Sequence, residues 1–370
     1  MIYLDHNATT PLDREVQEAI RTSFALFGNP SSTHRLGLEA KAAIEQARER
    51  VARLIGANPS EIVFTSGGTE SNNLAIIGTA YVHQRGHLIT SAIEHPSVMN
   101  PMKWLELRGY AVTYLPVGRD GRIDPDDVKK ALQKDTILIS IMHSNNETGV
   151  LQPVQEVGMI ARERGIAFHT DAAQSVGKMH VNVQNTAADM LTIVSHKFYG
   201  PKGIGALYVR SGVQLTPILF GAGHERGMRP GTENIIGIAG LGEACAIALR
   251  DMDFRIDHAL RLRERLYELL RNDLDCALNG HRDYRLPNTL NISLKGISAE
   301  YLIAQLRDAI AMSAGSACHA GTRRPSAVLK AMGVSDDAAL SSLRLSVGKD
   351  NTLEEIKTAA SMITRTARRS

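Results

Sequence analysis

The side chains best suited to chemistry fall in three short stretches, each just past an apolar, β-branched run. In Thr65-Ser66-Gly67-Gly68-Thr69-Glu70 the glycines allow a tight turn with exposed backbone, and Thr69 falls near the first turn of a helix. Free N–H groups and a hydroxyl at a helix N-terminus suit an anion such as a phosphate. The stretch is neither a G-x-G-x-x-G fingerprint nor a G-K-[ST] loop. In His169-Thr170-Asp171-Ala172-Ala173-Gln174 the acid ends a strand, where open α/β sheets bind ligands. Such an acid could hold a protonated ring nitrogen. In Ser195-His196-Lys197-Phe198-Tyr199-Gly200 a lysine stands among aromatic and small residues. Lost solvation there would lower its pKa, as an amine that captures a carbonyl requires.

Glu94-His95, after another apolar run, adds an imidazole able to stack on a flat ring. Each feature alone also reads as ordinary structure: a helix cap, an N-cap, a solvated lysine, a satisfied buried histidine. Lys202 competes with Lys197, although Pro201 and Gly203 suit it to a loop. Together, a phosphate cradle, an acid and an amine make the set that pyridoxal 5'-phosphate needs: anchor, electronic tuning and covalent attachment.

These stretches need a scaffold that places them side by side. Apolar residues at Ala40, Ile44, Ala47, Val51 and Ile55 recur at helical steps and end at Gly56, which predicts an amphipathic helix from 36 to 55. Seven β-rich runs follow, at 62–65, 88–90, 112–115, 137–141, 166–169, 191–194 and 206–209. Helical patterns separate most of them, so the fold class is α/β with a mostly parallel seven-stranded sheet. Past residue 249 the texture changes. A charged helix spans about 253–272, a strand 286–293, a helix 299–309 and a terminal helix begins near 352, with a Gly/Ser/Ala loop at 313–321. That pattern predicts a smaller α+β domain.

The chain has 370 residues and a formal charge of +3, which argues against a polybasic nucleic-acid surface. Hydrophobic residues at 43% and charged residues at 22% exclude disorder as the main state. The N-terminus lacks the basic and apolar regions of a signal peptide, and the apolar stretch 235–249 is too short to span a bilayer. The cytoplasm is the expected compartment. The three cysteines form no C-x-x-C, so neither a zinc site nor a disulfide scaffold is expected. Cys245, between alanines in an apolar helix, and Cys276 read as structural, whereas Cys318 stands in a loop-like, polar run of small residues.

The chain resembles the cysteine desulfurases, in the class V branch of fold-type I pyridoxal-phosphate enzymes. The resemblance rests on Y-L-D-H-N-A-T-T-P at 3–11, G-N-P-S-S-T-H at 28–34, F-T-S-G-G-T-E-S-N-N at 64–73 and N-N-E-T-G at 145–149. It continues through H-T-D-A-A-Q at 169–174, S-H-K-F-Y-G-P-K-G at 195–203 and R-P-G-T-E-N at 229–234. R-L-P-N-T at 285–289, S-A-G-S-A-C at 313–318 and L-R-L-S-V-G at 343–348 complete it.

By this resemblance Lys197 carries the cofactor covalently, Asp171 pairs with its ring nitrogen, Gln174 meets its phenolic oxygen and His95 stacks on the ring. Gly68, Thr69 and His196 hold the phosphate. Thr232 reaches the phosphate of a second subunit, which implies a homodimer. Asn146 and Arg344 bind the substrate carboxylate. Many relatives carry Ser-Gly-His-Lys where this chain has Val194-Ser195-His196-Lys197, so Ser195 is expected to take part of the missing serine's role. The resemblance also implies a large domain over 14–252 and a small one from 1–13 and 253–370 that bears Cys318. The reaction it implies turns L-cysteine into L-alanine. Sulfur passes to Cys318 as a persulfide and then to an acceptor protein, for iron–sulfur assembly or a thiolation pathway. His319 could help hold the thiolate, or His95 could shuttle protons. A selenocysteine lyase is the alternative, since Ala317-Cys318-His319 fits that branch equally well.

Overall fold

The computed structural model describes residues 1–314 and 324–369. The chain opens with β1 (Ile2–Tyr3). A central sheet follows, from β2 (Ile62–Thr65), β3 (His87–Ser91), β4 (Ala111–Leu115) and β5 (Thr136–Ser140) to β6 (Ala167–Asp171), β7 (Met190–Val194) and β8 (Gly205–Val209). Its spatial order is β2-β8-β7-β6-β5-β3-β4. β8 runs antiparallel to both neighbours, and every other pairing is parallel. The carboxyl ends of β2, β3, β5, β6 and β7 therefore share one edge, where the three chemical stretches begin.

All seven strands foreseen from the sequence form, each within two residues of its expected bounds. All but the edge strand β4 are buried along nearly their whole length, because helices cover both faces of the sheet. Along β2, Ile62 and Phe64 join one core cluster while Val63 joins the opposite one. Along β8, Ala206 and Tyr208 face the first cluster, and Leu207 and Val209 the second. This is the period-2 alternation of a strand buried on both sides. Each fully buried side chain of this size contributes roughly 1.5–3 kcal/mol.

The helix Arg35–Ile55 buries Ala40, Ile44, Ala47 and Val51, and ends at Gly56 in the left-handed conformation, φ +68°. It packs on the helix Ile235–Arg250 so closely that a Cβ on Gly242 would lie 2.6 Å from the Ala47 Cβ. Chain direction breaks at Asp251, and the helix Met252–Asp273 starts a separate core. In that core Leu262, Leu266 and Leu270 meet Ile356 and Ile363 of the helix Leu353–Ala367. The second sheet holds β9 (Cys276–Leu278), β10 (Thr289–Leu294), β12 (Ser313–Ala314) and β13 (Ser342–Ser346), ordered β12-β13-β10-β9 and wholly antiparallel. β1 pairs in parallel with β11 (Ile310–Ala311), and Leu4 is buried in the same core. The first residues of the chain are thus structurally part of the second sheet's layer.

Candidate active site

A cavity of about 290 Å³ opens at the carboxyl edge of the large sheet, between it and β13. Gly68, Thr69, His95, Asn146, Asp171, Gln174, His196, Lys197 and Arg344 all line it. Of the residues singled out from the sequence and described here, two are not brought to it. Ser195 is buried, but its Oγ has no partner among the described residues. It lies against Gly200, where a Cβ would come within 2.1 Å of that oxygen. The short turn after β7 aims Lys197 at the cavity and Ser195 away from it. Thr232 is exposed and lies outside the lining of its own chain's cavity. Cys318 and His319 lie outside the described residues.

The helix Gly68–His83 starts directly after β2, and Gly67 takes φ +144°, a region that L side chains rarely adopt. No side chain caps that start, so its first N–H groups face the cavity wall formed by Gly68 and Thr69. Glu70, in the first turn of this helix, is already engaged. It accepts from the Ser66 N–H at 2.8 Å and from Arg229 at 2.9 Å.

Asp171 closes β6. Its Oδ2 accepts from Asn72 Nδ2 at 2.8 Å and its Oδ1 from the Ala173 N–H at 2.9 Å. Asn72 also donates to Ser97 Oγ at 2.8 Å. His95 caps the helix Pro96–Glu106, and its Nδ1 accepts the Ser97 N–H at 3.1 Å. Ser97 Oγ lies 2.7 Å from the same nitrogen and so donates to it. That assigns the neutral ring with its proton on Nε2, and burial followed by the Lys197 charge holds the His95 pKa below its ordinary value. The row Asp171, Asn72, Ser97, His95 thus fixes an acid and an imidazole relative to each other.

Lys197 Nζ donates to the main-chain carbonyls of Asn7 at 2.7 Å and Ala8 at 2.8 Å. Burial first, and then the Arg344 charge, lower its pKa to about 8. It is the most readily deprotonated lysine that faces the cavity, which a carbonyl-capturing amine must be. His196 Nδ1 lies 3.0 Å from Thr9 Oγ1, and burial with nearby Lys197 lowers its pKa to about 4. Arg344, in the middle of β13, donates to Asp5 Oδ1 at 2.9 Å and to the Asn146 carbonyl at 3.2 Å. Its buried Nε has no partner among the described residues. An oriented guanidinium with a donor to spare suits a carboxylate.

Three residues matter here that the sequence did not single out. Asn72 links Asp171 to Ser97, as above. Asn7 gives its carbonyl to both Lys197 and Gln174, and its side chain to Thr289 and Asn288. Lys178, fully buried, donates to Asn7 Oδ1 at 2.9 Å and Gln174 Oε1 at 2.8 Å. Because the Asn7 carbonyl can only accept, Gln174 must turn its Nε2 toward it, at 2.9 Å. The Gln174 amide is thereby fixed with one N–H left for a ligand. Asn7 and Asn72 lie inside motifs quoted above and Lys178 lies in none, but no local spacing reveals contacts made across 25 to 282 residues.

Residues 2–358 match the aminotransferase class-V family, and the chain belongs to that family. It is 48% identical over 360 residues to a cysteine desulfurase IscS of Dictyoglomus turgidum, a match spanning 96% of this chain and 91% of the relative. That places it in the cysteine desulfurase branch. A solved NifS-like protein superposes with a TM-score of 0.94 at 36% identity, over 100% of both chains. SspA in complex with cysteine matches at 39% identity and a TM-score of 0.84, over 95% of this chain and 100% of SspA. Enzymes of this kind depend on pyridoxal 5'-phosphate. The donor set fits that cofactor: an uncapped helix start at Gly68 and Thr69, a buried carboxylate at Asp171, a free Gln174 N–H and an amine of low pKa.

Among the described residues no group of His, Cys, Asp and Glu could hold a metal ion, and no helix is long and apolar enough to cross a membrane.

Proposed function

We propose that the protein is a pyridoxal-phosphate-dependent cysteine desulfurase that converts L-cysteine to L-alanine and passes the sulfur, as a persulfide on Cys318, to an acceptor protein. The observation that carries this reading is Lys197, with its pKa lowered to about 8, sharing one cavity with Asp171 and Arg344. When bound, the cofactor draws electrons from the amino acid and makes its Cα proton acidic. Lys197 would hold it covalently, Asp171 would pair with the ring nitrogen, His95 would cover the ring, and Gly68, Thr69 and His196 would take the phosphate. Gln174 would donate to the phenolic oxygen.

The roles of the other groups follow from charge and reach. Arg344, with Asn146 beside it, binds the cysteine carboxylate and so orients the Cα proton. Lys197 Nζ, neutral once released from the cofactor, takes that proton. The Cys318 thiolate attacks the substrate sulfur, an S–S bond forms and the Cβ–S bond breaks with its electron pair left on the substrate; Cβ then gains a proton and Lys197 returns its proton to Cα, which gives alanine. Cys318→Ala tests the reading. The variant is expected to keep its cofactor colour and change spectrum with cysteine, yet release no sulfide without added thiol. Full activity would remove the persulfide route.

The exposed position of Thr232 supports a homodimer with a composite site. Glu225 anchors the loop before it: Arg48 donates to its two oxygens at 2.7 and 2.8 Å, and the Phe64 N–H at 2.8 Å. The loop is thus held firmly to β2 while Thr232 faces outward. Mixing inactive Lys197→Ala and Thr232→Ala chains is expected to restore part of the activity through hybrid dimers. A fully active monomer in sedimentation would refute the dimer.

A further inference from the structure

Lys197 also lines a second and much smaller cavity of about 30 Å³, which shares no other lining residue with the first. Arg255, Lys178, Lys349, Tyr199 and Asn288 line it, and no carboxylate does. Arg255 is 6% exposed. Its Nε and Nη1 have no hydrogen-bond partner among the described residues, and it forms no ion pair there. Its guanidinium sits 5.1 Å from the centre of the Tyr199 ring.

The acids nearby are spent elsewhere. Asp13 pairs with Lys349 and accepts the Glu15 N–H. Asp251 pairs with Arg250. Lys178 donates only to neutral amide oxygens. Burial lowers the pKa of both Arg255 and Lys178, and for Arg255 it outweighs the opposing pull of Asp251 and Asp13, neither of which bonds to it. A buried, unpaired guanidinium is strongly unfavourable.

We propose that this cavity binds one small monovalent anion of halide size, held by the free Nε–H and Nη1–H of Arg255 with Lys178 and Lys349 beside it. Size and charge select the ligand. The cavity exceeds the roughly 10–15 Å³ that a single water needs, which leaves room for a monatomic ion. Water could satisfy the two N–H groups but would not offset the positive charge of Arg255 and Lys178 at a wall that carries no carboxylate. The ion would join the two layers of the molecule, since Tyr199 and Lys178 belong to the large-sheet body while Asn288 and Lys349 flank β10 and β13. It would also lie beside Lys197 without touching the substrate side.

The test uses the cofactor-loaded protein and bromide. Crystals grown in sodium bromide should show one anomalous peak within hydrogen-bond distance of Arg255 Nε and Nη1. A water there with no anomalous signal overturns the proposal. In solution, sodium bromide or chloride should raise Tm by about 2 °C over sodium gluconate at equal ionic strength, the size expected for saturation of one site in a chain of this length. Arg255→Met should lose that difference. Equal Tm of the wild-type protein in the two salts overturns the proposal even with a crystal peak, since binding would then occur at crystal concentration only. Should Arg255→Met not fold, the wild-type comparison decides alone.

Discussion

The large sheet arms the cavity with side chains from the ends of its strands, whereas the small sheet arms it from the middle of a strand. Gly68, His95, Asp171 and Lys197 follow the carboxyl ends of β2, β3, β6 and β7, and each is held by short contacts from the same body or the N-terminal segment. Arg344 projects from β13 and is held by Asp5 and the Asn146 carbonyl. In the proposed function the first group serves the cofactor and the second the substrate. The difference teaches that cofactor capture and substrate affinity should fail separately when each side is cut.

The largest effect is expected at Lys197. Lys197→Ala should lower turnover by about 10³-fold or more, and borohydride reduction should leave no pyridoxyl label on the chain. A label on Lys202 would break the assignment. Asp171→Asn should keep that label but lower turnover by roughly 10²-fold, because a neutral amide cannot hold the ring nitrogen protonated. Unchanged turnover in this variant would show that β6 does not tune the cofactor.

On the small-sheet side, Arg344→Lys should raise KM for cysteine about 10-fold while leaving the cofactor spectrum as it was, since an ammonium cannot replace a planar pair of donors. Loss of cofactor from that variant would erase the distinction between the two sheets.

The smallest effect is one of pH. The neutral amine is the form that captures the cofactor, and the Lys197 proton leaves as pH rises through about 8. Covalent capture of pyridoxal phosphate by the cofactor-free protein should therefore speed up from pH 7 and level off above about 8. An ordinary lysine would go on accelerating toward roughly pH 10.4, and a rate still climbing there would contradict the burial described for Lys197.

Much of this was legible in the chain. Six of the seven strands could be read because each is a short, largely apolar run buried on both faces, and the edge strand β4 because its run is β-branched and aromatic though only partly buried. Asp171, Lys197 and Gly68 could be read because strand ends are where an open sheet exposes chemistry. Ser195, expected at the cofactor, does not line the cavity, because a single residue in a tight turn decides which neighbour faces it, and no spacing rule sees that. Asn7 and Lys178 escaped notice for a different reason. Their partners are defined only once the chain has folded back on itself, and an asparagine or a lysine taken alone most often lies at the surface.

The position of Asn7 bears on how the enzyme is born. It is synthesised long before its partners: its carbonyl waits for Gln174 and Lys197, its side chain for Thr289, and its N–H for Ser346 Oγ, 339 residues later. No growing chain short of β13 can seat it. The pocket is thus finished only after β13 has been translated, and loading with cofactor follows that strand rather than the large sheet alone.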